Sequence, residues 1–480
     1  MIQFFNTLKG GIEPFEPFEK GKAGLYTCGP TVYDYAHIGN FRAFVFEDLL
    51  RRFLEASGLA VRHVMNLTDV DDKTIAGAMR EGKGLGDYTA GYIQAFREDL
   101  AVLGCLAPTE QPRATEEIPA MLDLIAALVG DGKAYEREGS VYYRVAAFPA
   151  YGRLSKKKLD WNIAGASTRV DLDEYDREQI SDFVLWKKSK EGEPSWDSPW
   201  GPGRPGWHIE CSAMSMKYLG ETFDLHAGGE DLIFPHHENE IAQSEAATGK
   251  TFVRFWLHCK FLLVNGEKMS KSKGNFYTLR DLLAKGCDPA AIRFSLVGTH
   301  YRSPLNFTLD GLKEAAESVR KMDDSYYQCL SRLAFGMFGD GSGAEGFLEV
   351  PYRDMMRHLG DDLNVAAALS ELLAGLTQIN TLLPKMNEGE LKSALDFFAQ
   401  MDRLLGFGLC DPEGIPEEVR RLVSRRALVR QRIKEQNDKS LWKESDELRD
   451  QIHGLGWLVK DGKPGECSTV KRKRRTWDNP

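Results

Sequence analysis

The stretch from Leu25 to Leu67 constrains the fold more than any other part of the chain. Leu25 to Cys28 ends an apolar, β-prone run. Phe41, Phe44, Val45, Leu49 and Phe53 then recur at helical spacing up to Gly58, and Ala60 to Leu67 is β-prone again. Strand, helix, strand in that order is a βαβ unit, expected to be right-handed and to lie in a parallel sheet. The fold class is therefore α/β.

With 480 residues, the chain needs several domains. After Asp69-Val-Asp-Asp72 the pattern predicts helix to about Gly132. A different texture starts near Tyr135: "SVYYRV" reads as strand, while Pro149 to Trp161 and Glu191 to Gly206 are loop-rich, which marks an insertion. The α/β pattern resumes with the helical "GWHIECSAMSMKYLG", the strand "TFDLHA", a turn at Gly228 to Asp231, a helix from Pro235 to Ala247 and the strand-like "FVRFWLHCKFLLVNG". Beyond about 315 only helices are expected. A compact piece spans 412 to 464, and the tail "VKRKRRTWDNP" is expected to stay disordered until it meets a partner. Composition, at 42% hydrophobic and 28% charged, reads as soluble and globular. No apolar run approaches a membrane span, and the first twenty residues read as neither signal nor transit peptide, so the expectation is cytoplasmic with no membrane partner. Eight single cysteines without a CxxC pair argue against a disulfide framework. A net charge of -9 disfavours indiscriminate polyanion binding, which leaves local clusters such as Lys471 to Arg475 to decide.

A strand, a Pro/Gly turn and a helix opening with His37-Ile-Gly-Asn40 place free N–H groups and a positive helix end where an anion can sit. Gly39 allows close approach of a ligand. Taken alone, a helix cap is the commoner meaning of such residues. Lys268-Met-Ser-Lys-Ser272 adds two lysines three apart on a Gly-flanked polar loop, able to close on a polyphosphate and neutralise charge developing at phosphorus. A solvated loop accounts for either lysine singly, but not for their pairing with His37 in this order. Cys28, Cys211 and Glu240 with His236 or His237 supply metal donors, His236 and Glu240 being four apart on one helix face. Spacing does not choose between the two histidines, and His208, three before Cys211, is a further candidate. Buried cysteines and capping histidines are commoner than ligands, so the residues alone leave the metal open.

His37-Ile-Gly-Asn40 and Lys268-Met-Ser-Lys-Ser272 resemble the two signatures of class I aminoacyl-tRNA synthetases, His-Ile-Gly-His and Lys-Met-Ser-Lys-Ser. The second is matched completely; the first departs at Asn40, whose amide can still donate to phosphate. Within that class, "YTCGPTVYDYAHIGNFR", "NLTDVDDK", "PGWHIECSAM", "DLHAGGEDLIFPHHENEIAQSEA" and "KMSKSKGN" are similar to the cysteinyl-tRNA synthetase family from about residue 20 to 310. Past 315 the likeness rests on helical layout and "WKESDELRDQI". The resemblance implies a Rossmann-like parallel-sheet catalytic domain split by an insertion, then a helical bundle and a small C-terminal anticodon-binding module. The expected boundaries are 1–111 and 207–265 for the catalytic halves, 112–206 for the insertion, 266–315 for the lysine loop and stem contact, 316–409 for the tRNA-binding bundle and 410–480 for the module with its basic tail.

The same resemblance implies His37, Asn40, Lys268 and Lys271 as catalytic; Gly39, Gly228, Gly229 and Asp231 as further ATP contacts; Gly29, Thr68 and Trp207 in the cysteine pocket; and Cys28, Cys211, His236 and Glu240 as ligands of one Zn2+. Mg2+ would accompany ATP. Expected partners are tRNA(Cys), ATP and L-cysteine, with the chain a monomer. Zinc has a physical reason. Serine is a near-isostere of cysteine that an apolar pocket rejects by only about 1 to 3 kcal/mol, whereas zinc prefers a thiolate to a hydroxyl. The insertion also looks too short and irregular for a hydrolytic editing domain. Enzymes that join cysteine to an amino sugar share the catalytic half, but the helical and basic C-terminal region separates this chain from them. Intact Lys268-Met-Ser-Lys-Ser272 likewise separates it from a non-catalytic RNA-binding protein on the same scaffold.

Overall fold

The computed structural model describes residues 1–157, 182–344, 346–411, 413–437, 439–461 and 468–472. By Cα proximity they fall into two compact units: 1–280 with 299–307 and 360–363, and 281–298 with 308–359 and 364 onward. The first is built on β1 (Lys22–Thr27), α1 (Ile38–Ala56), β2 (Ala60–Met65), α2 (Trp207–Leu219), β3 (Phe223–Gly229), α3 (Glu238–Thr248) and β4 (Val253–Cys259). The four strands are parallel in the order β4-β3-β1-β2, with Tyr26 of β1 opposite Val64 on one side and His226 on the other. Parallel neighbours need a crossover, and Phe41, Val45, Leu49 and Phe53 supply the buried face of α1 that makes one. The chain moves outward from β1 to β2, then returns to lay β3 and β4 on the other side of β1. The winding therefore reverses between β1 and β3. In open parallel sheets the crevice beyond the carboxyl ends of two such strands is where ligands bind, and Cys28 and Gly228 lie there.

Between β2 and α2 the stretch expected to be helical to about Gly132 holds three helices, Asp72–Glu81, Leu85–Val102 and Ile118–Gly130, the last of them inside the expected insertion of 112–206. Gly82 ends the first in the left-handed region at φ 62°. Pro108 and Pro112 keep the stretch before the third extended, so that Met65 and Leu67 donate to the carbonyls of Glu110 and Pro112 alongside β2. An antiparallel sheet follows in the order Ala134–Arg137, Ser140–Tyr143, Phe183–Lys188, Gly203–Pro205. Its Tyr143, Phe183 and Trp186 share a core with Cys211, Met214 and Ile241 of α2 and α3.

Polar contacts of Tyr143 and Glu238 help fasten the insertion to α3. The Tyr143 hydroxyl donates to the Ala242 carbonyl (2.9 Å), and the buried Glu238 carboxylate accepts from the backbone N–H groups of Gly152, Leu154 and Ser155 at 2.9, 3.1 and 2.7 Å.

The second unit is helical, with Leu309–Ala334, Val365–Leu382 and Glu388–Leu405 enclosing Met322, Leu372, Leu376, Phe397 and Phe398. Two expectations are corrected here. Val365–Lys385 reaches, by length and a hydropathy of 1.2, what a membrane span needs; its buried stripe of Val365, Ala368, Leu369, Leu372, Leu376 and Ile379 is the core-facing side of an amphipathic helix. Nor is the region all helix or its basic end loose up to residue 472. Trp457–Lys460 and Thr469–Arg472 form an antiparallel pair, Lys471 reaches Asp323 and Asp324 (3.2 and 3.0 Å), and Arg472 reaches Asp411 at 2.8 Å. Those carboxylates give the first two charges of the basic run a reason to order. Lys473 to Pro480, Trp477 included, lies outside the described residues.

Glu238→Ala would leave three N–H groups, two of them buried, without an acceptor. The expected loss is about 2–4 kcal/mol of stability, measured as a fall in the urea midpoint, with Glu238→Gln losing less because its amide oxygen still accepts.

Candidate active site and metal centre

Past the end of β1, Gly29 runs so close to the neighbouring chain that a Cβ there would lie 1.7 Å from the Asn66 carbonyl oxygen, and its N–H donates to Asn66 Oδ1 at 3.0 Å. The loop then reaches His37, the N-cap of α1. His37 Nδ1 accepts from Asn40 N–H (3.2 Å), and Asn40 Oδ1 accepts from His37 N–H at 3.1 Å. This is a reciprocal capping box. It explains Asn40 locally: a side-chain oxygen at the third helical position closes the cap. Burial lowers the pKa of His37, and the opposing influences of Asp231 and Lys271 place both charges near its ring.

The lysine loop lies against this cap. Ile38 N–H donates to the Tyr277 carbonyl (3.0 Å), and a Cβ on Gly39 would come within 3.2 Å of Met269 Cε. Lys271 Nζ lies 2.8 Å from Asp34 Oδ2 and 5.1 Å from the centre of the Phe276 ring, which itself meets His37 edge-on. Ser270 N–H donates to Asn275 Oδ1 at 2.8 Å. Lys268 is exposed on a two-residue strand paired through Leu263. The structure thus brings together His37, Gly39, Asn40, Lys271 and Asp231, with Gly228 and Gly229 at the end of β3.

Behind Cys28 lies a buried polar cluster. Cys28, Cys211, His236 and Glu240 each present a donor atom, all within 4.8 Å of one another. Cys28 Sγ is 3.8 Å from Cys211 Sγ and 3.9 Å from Glu240 Oε1; His236 Nε2 is 3.0 Å from Glu240 Oε1. Two thiolates at about 2.3 Å from a tetrahedral zinc stand about 3.8 Å apart, so the sulfur spacing fits. The supporting residues fit too. His208 Nδ1 is hydrogen-bonded to His236 Nδ1 (2.8 Å), which turns Nε2 inward, and His226 Nε2 lies 2.9 Å from Glu240 Oε2. Burial and Cys211 raise the Cys28 thiol well above its ordinary range. Burial also opposes the charged form of Cys211, yet the hydrogen bond from Cys28 and the charge of His236 bring it to about 6. His236, against its burial, is held at about 10 by Cys211 and Glu240, and Glu240 at about 2 by His226 and His236. Two anions, Cys211 and Glu240, thus face a protonated His236 ring beside the Cys28 thiol, and a bound cation would take the place of the protons on His236 and Cys28.

His237, left open by spacing, belongs to an overlapping set with Cys28, His226 and Glu240. Its Nε2 lies 3.5 Å from Cys28 Sγ, and its Nδ1 is bonded through His258 to Thr7 (2.8 Å each). Only the set with His236 contains both thiols, the donors that a borderline-soft ion prefers. The pocket residues lie beside it: the Trp207 ring stacks on His236 at 4.1 Å, and Thr68 Oγ1 donates to Glu210 Oε2 at 2.9 Å while its N–H bonds the Pro30 carbonyl. Sequence reasoning missed Glu210, His226 and His258. Each stands singly on a different element, and only the sheet pairing and helix packing bring them to Cys28.

The family described as tRNA synthetases class I (C) catalytic domain matches residues 14–317. The "Cysteine--tRNA ligase" of Brachyspira hyodysenteriae is 44% identical over 484 residues, covering 99% of each chain, and that of Solibacter usitatus 45% over 480, covering 99% of this chain and all of the relative. Methionyl-tRNA synthetase of Mycobacterium tuberculosis, solved with methionyl-adenylate, shares the fold at 14% identity and a TM-score of 0.57, over 80% of this chain and 90% of that one. The chain belongs to the cysteine-tRNA ligase family of class I aminoacyl-tRNA synthetases.

Proposed function

We propose that this enzyme activates L-cysteine with ATP and transfers it to the 3′ end of tRNA(Cys). The observation that carries the reading is the convergence of two thiols, an imidazole and a carboxylate just past the winding reversal, with a helix cap and a lysine loop on the same side. In the first step the cysteine carboxylate attacks the α-phosphorus of ATP, the bond to the β-phosphate oxygen breaks and pyrophosphate leaves. In the second a hydroxyl of the terminal adenosine takes the cysteinyl group and AMP leaves.

The substrates bring their own nucleophiles, so the protein's part is positioning and charge stabilisation. His37 and the backbone at Gly39 hold phosphate, with Asn40 locking the cap. Gly228, Gly229 and Asp231 take the ribose, and Mg2+ accompanies ATP. Lys271 and Lys268 meet the charge that grows on the departing pyrophosphate; to do so Lys271 exchanges Asp34 for phosphate oxygens, an easy exchange because the pair is exposed. Gly29, Thr68 and Trp207 shape the cysteine pocket. Cys28, Cys211, His236 and Glu240 would hold one Zn2+, which favours a substrate thiolate over a hydroxyl and so separates cysteine from serine. Residues 316–409 and 410–480 serve the tRNA, and the chain acts as a monomer in the cytoplasm.

Lys271→Ala should slow adenylate formation by roughly two to three orders of magnitude, measured as cysteine-dependent exchange of pyrophosphate into ATP; wild-type kinetics would remove Lys271 from the chemistry. One zinc should copurify per chain. Because protons compete for the ligands, its affinity should fall roughly tenfold per pH unit for each proton displaced as the solution is acidified. Cys28→Ser should lose the metal and the preference for cysteine over serine together, and a cobalt-substituted wild type should gain a sulfur-to-metal charge-transfer band when cysteine is added. A metal-free enzyme that still separates the two amino acids would falsify the zinc assignment.

A further inference from the structure

Between Cys28 and the His37 cap the loop carries two tyrosine rings that neither the core nor the activation step uses. Tyr33 is 38% exposed and Tyr35 45%. The backbone at Tyr33 and the ring of Tyr35 are both supported. The Tyr33 carbonyl accepts from the Tyr88 hydroxyl at 2.8 Å, and the Tyr35 ring meets Tyr92 edge-on at 5.4 Å. Each ring also carries a cation: Lys73 Nζ stands 5.4 Å from the centre of Tyr33, and the Arg280 guanidinium 5.2 Å from that of Tyr35. The carboxylate between them, Asp34, is already paired with Lys271.

Aromatic surface kept in solvent at the mouth of a site marks a binding surface. Exposed rings beside cations suit one class of partner above others. Single-stranded nucleic acid stacks its bases on such rings whatever their sequence, while its phosphates meet the positive charge. The unpaired 3′ end of a tRNA has to cross this rim to reach an adenylate formed beside His37.

We propose that Tyr33 and Tyr35, with Lys73, form a stacking platform for the single-stranded 3′ end of the tRNA; the proposal rests on the reading of the chain as a tRNA-charging enzyme. The test compares wild type, Tyr33→Ala/Tyr35→Ala and Tyr33→Phe/Tyr35→Phe, using a tRNA(Cys) transcript and the same transcript shortened by its last three nucleotides. The alanine pair should weaken binding of the full transcript, and raise its KM in charging, roughly 5- to 100-fold, as for lost base stacking. The shortened transcript should bind wild type and the alanine pair alike, the phenylalanine pair should behave as wild type, and pyrophosphate exchange should keep its KM for ATP. Equal losses on both transcripts, no loss on either, or a raised KM for ATP, which would give the rings to adenine, overturns the platform. A wild-type protein that charges the transcript while the alanine pair charges it with an unchanged KM overturns the platform alone; a wild type that exchanges pyrophosphate with cysteine but charges no transcript overturns the tRNA-charging reading first.

Discussion

The pairing of β1 with β3 is the contact on which the site depends. Leu25, Tyr26 and Thr27 lie opposite Leu225, His226 and Ala227, and that register sets the residue after β1, Cys28, against the helices flanking β3. The insertion could change in length without disturbing this, provided its two ends return to the same place. A slip of one residue between these strands would turn Tyr26 and His226 to the wrong faces and take Cys28 away from Cys211 and Glu240.

The cluster behind Cys28 costs the fold more than any apolar core of the same size. Buried charges need partners, and this one gathers Glu240, His226, His236 and a lowered Cys211 thiol in a space where water does not reach. His208 and His226 answer that cost locally, each fixing the orientation of one donor. Such an arrangement is poor economy for stability alone, which is the physical case for reading it as a binding centre. The lysine loop sits at the other extreme. Lys271 and Asp34 are exposed, so their pairing is weak and readily exchanged. On the proposed reading, selection would rest on buried groups and charge stabilisation on exposed ones.

Much of this was readable in the residues. The βαβ unit, the break at the insertion, the helix with Cys211 and the strand with His226 follow from periodicity, since long buried elements carry strong patterns. The His37-to-Asn40 spacing also carries the N-cap and third-position signal of a capping box. What the sequence concealed was tertiary. Glu210 beside Thr68 and His258 behind His237 depend on elements far apart in the chain, and the strand at Thr469–Arg472 depends on Asp323, Asp324 and Asp411 rather than on its own basic residues. Pro108 and Pro112, by contrast, stood in plain view as helix breakers within a region read as helical.

The separation of β1 from β3 also has a consequence in time. Their partners stand about 200 residues apart in sequence, so a ribosome adding 5–20 residues per second needs roughly 10–40 s to make the second after the first. For that interval the nascent βαβ unit presents an unpaired edge on β1 and an uncovered thiol at its end. Contacts of such long range also close slowly once the chain is complete. The stretch from β1 to β2 is therefore the part of this molecule most dependent on shelter during synthesis, and the arrival of α2 and β3 ends its exposure.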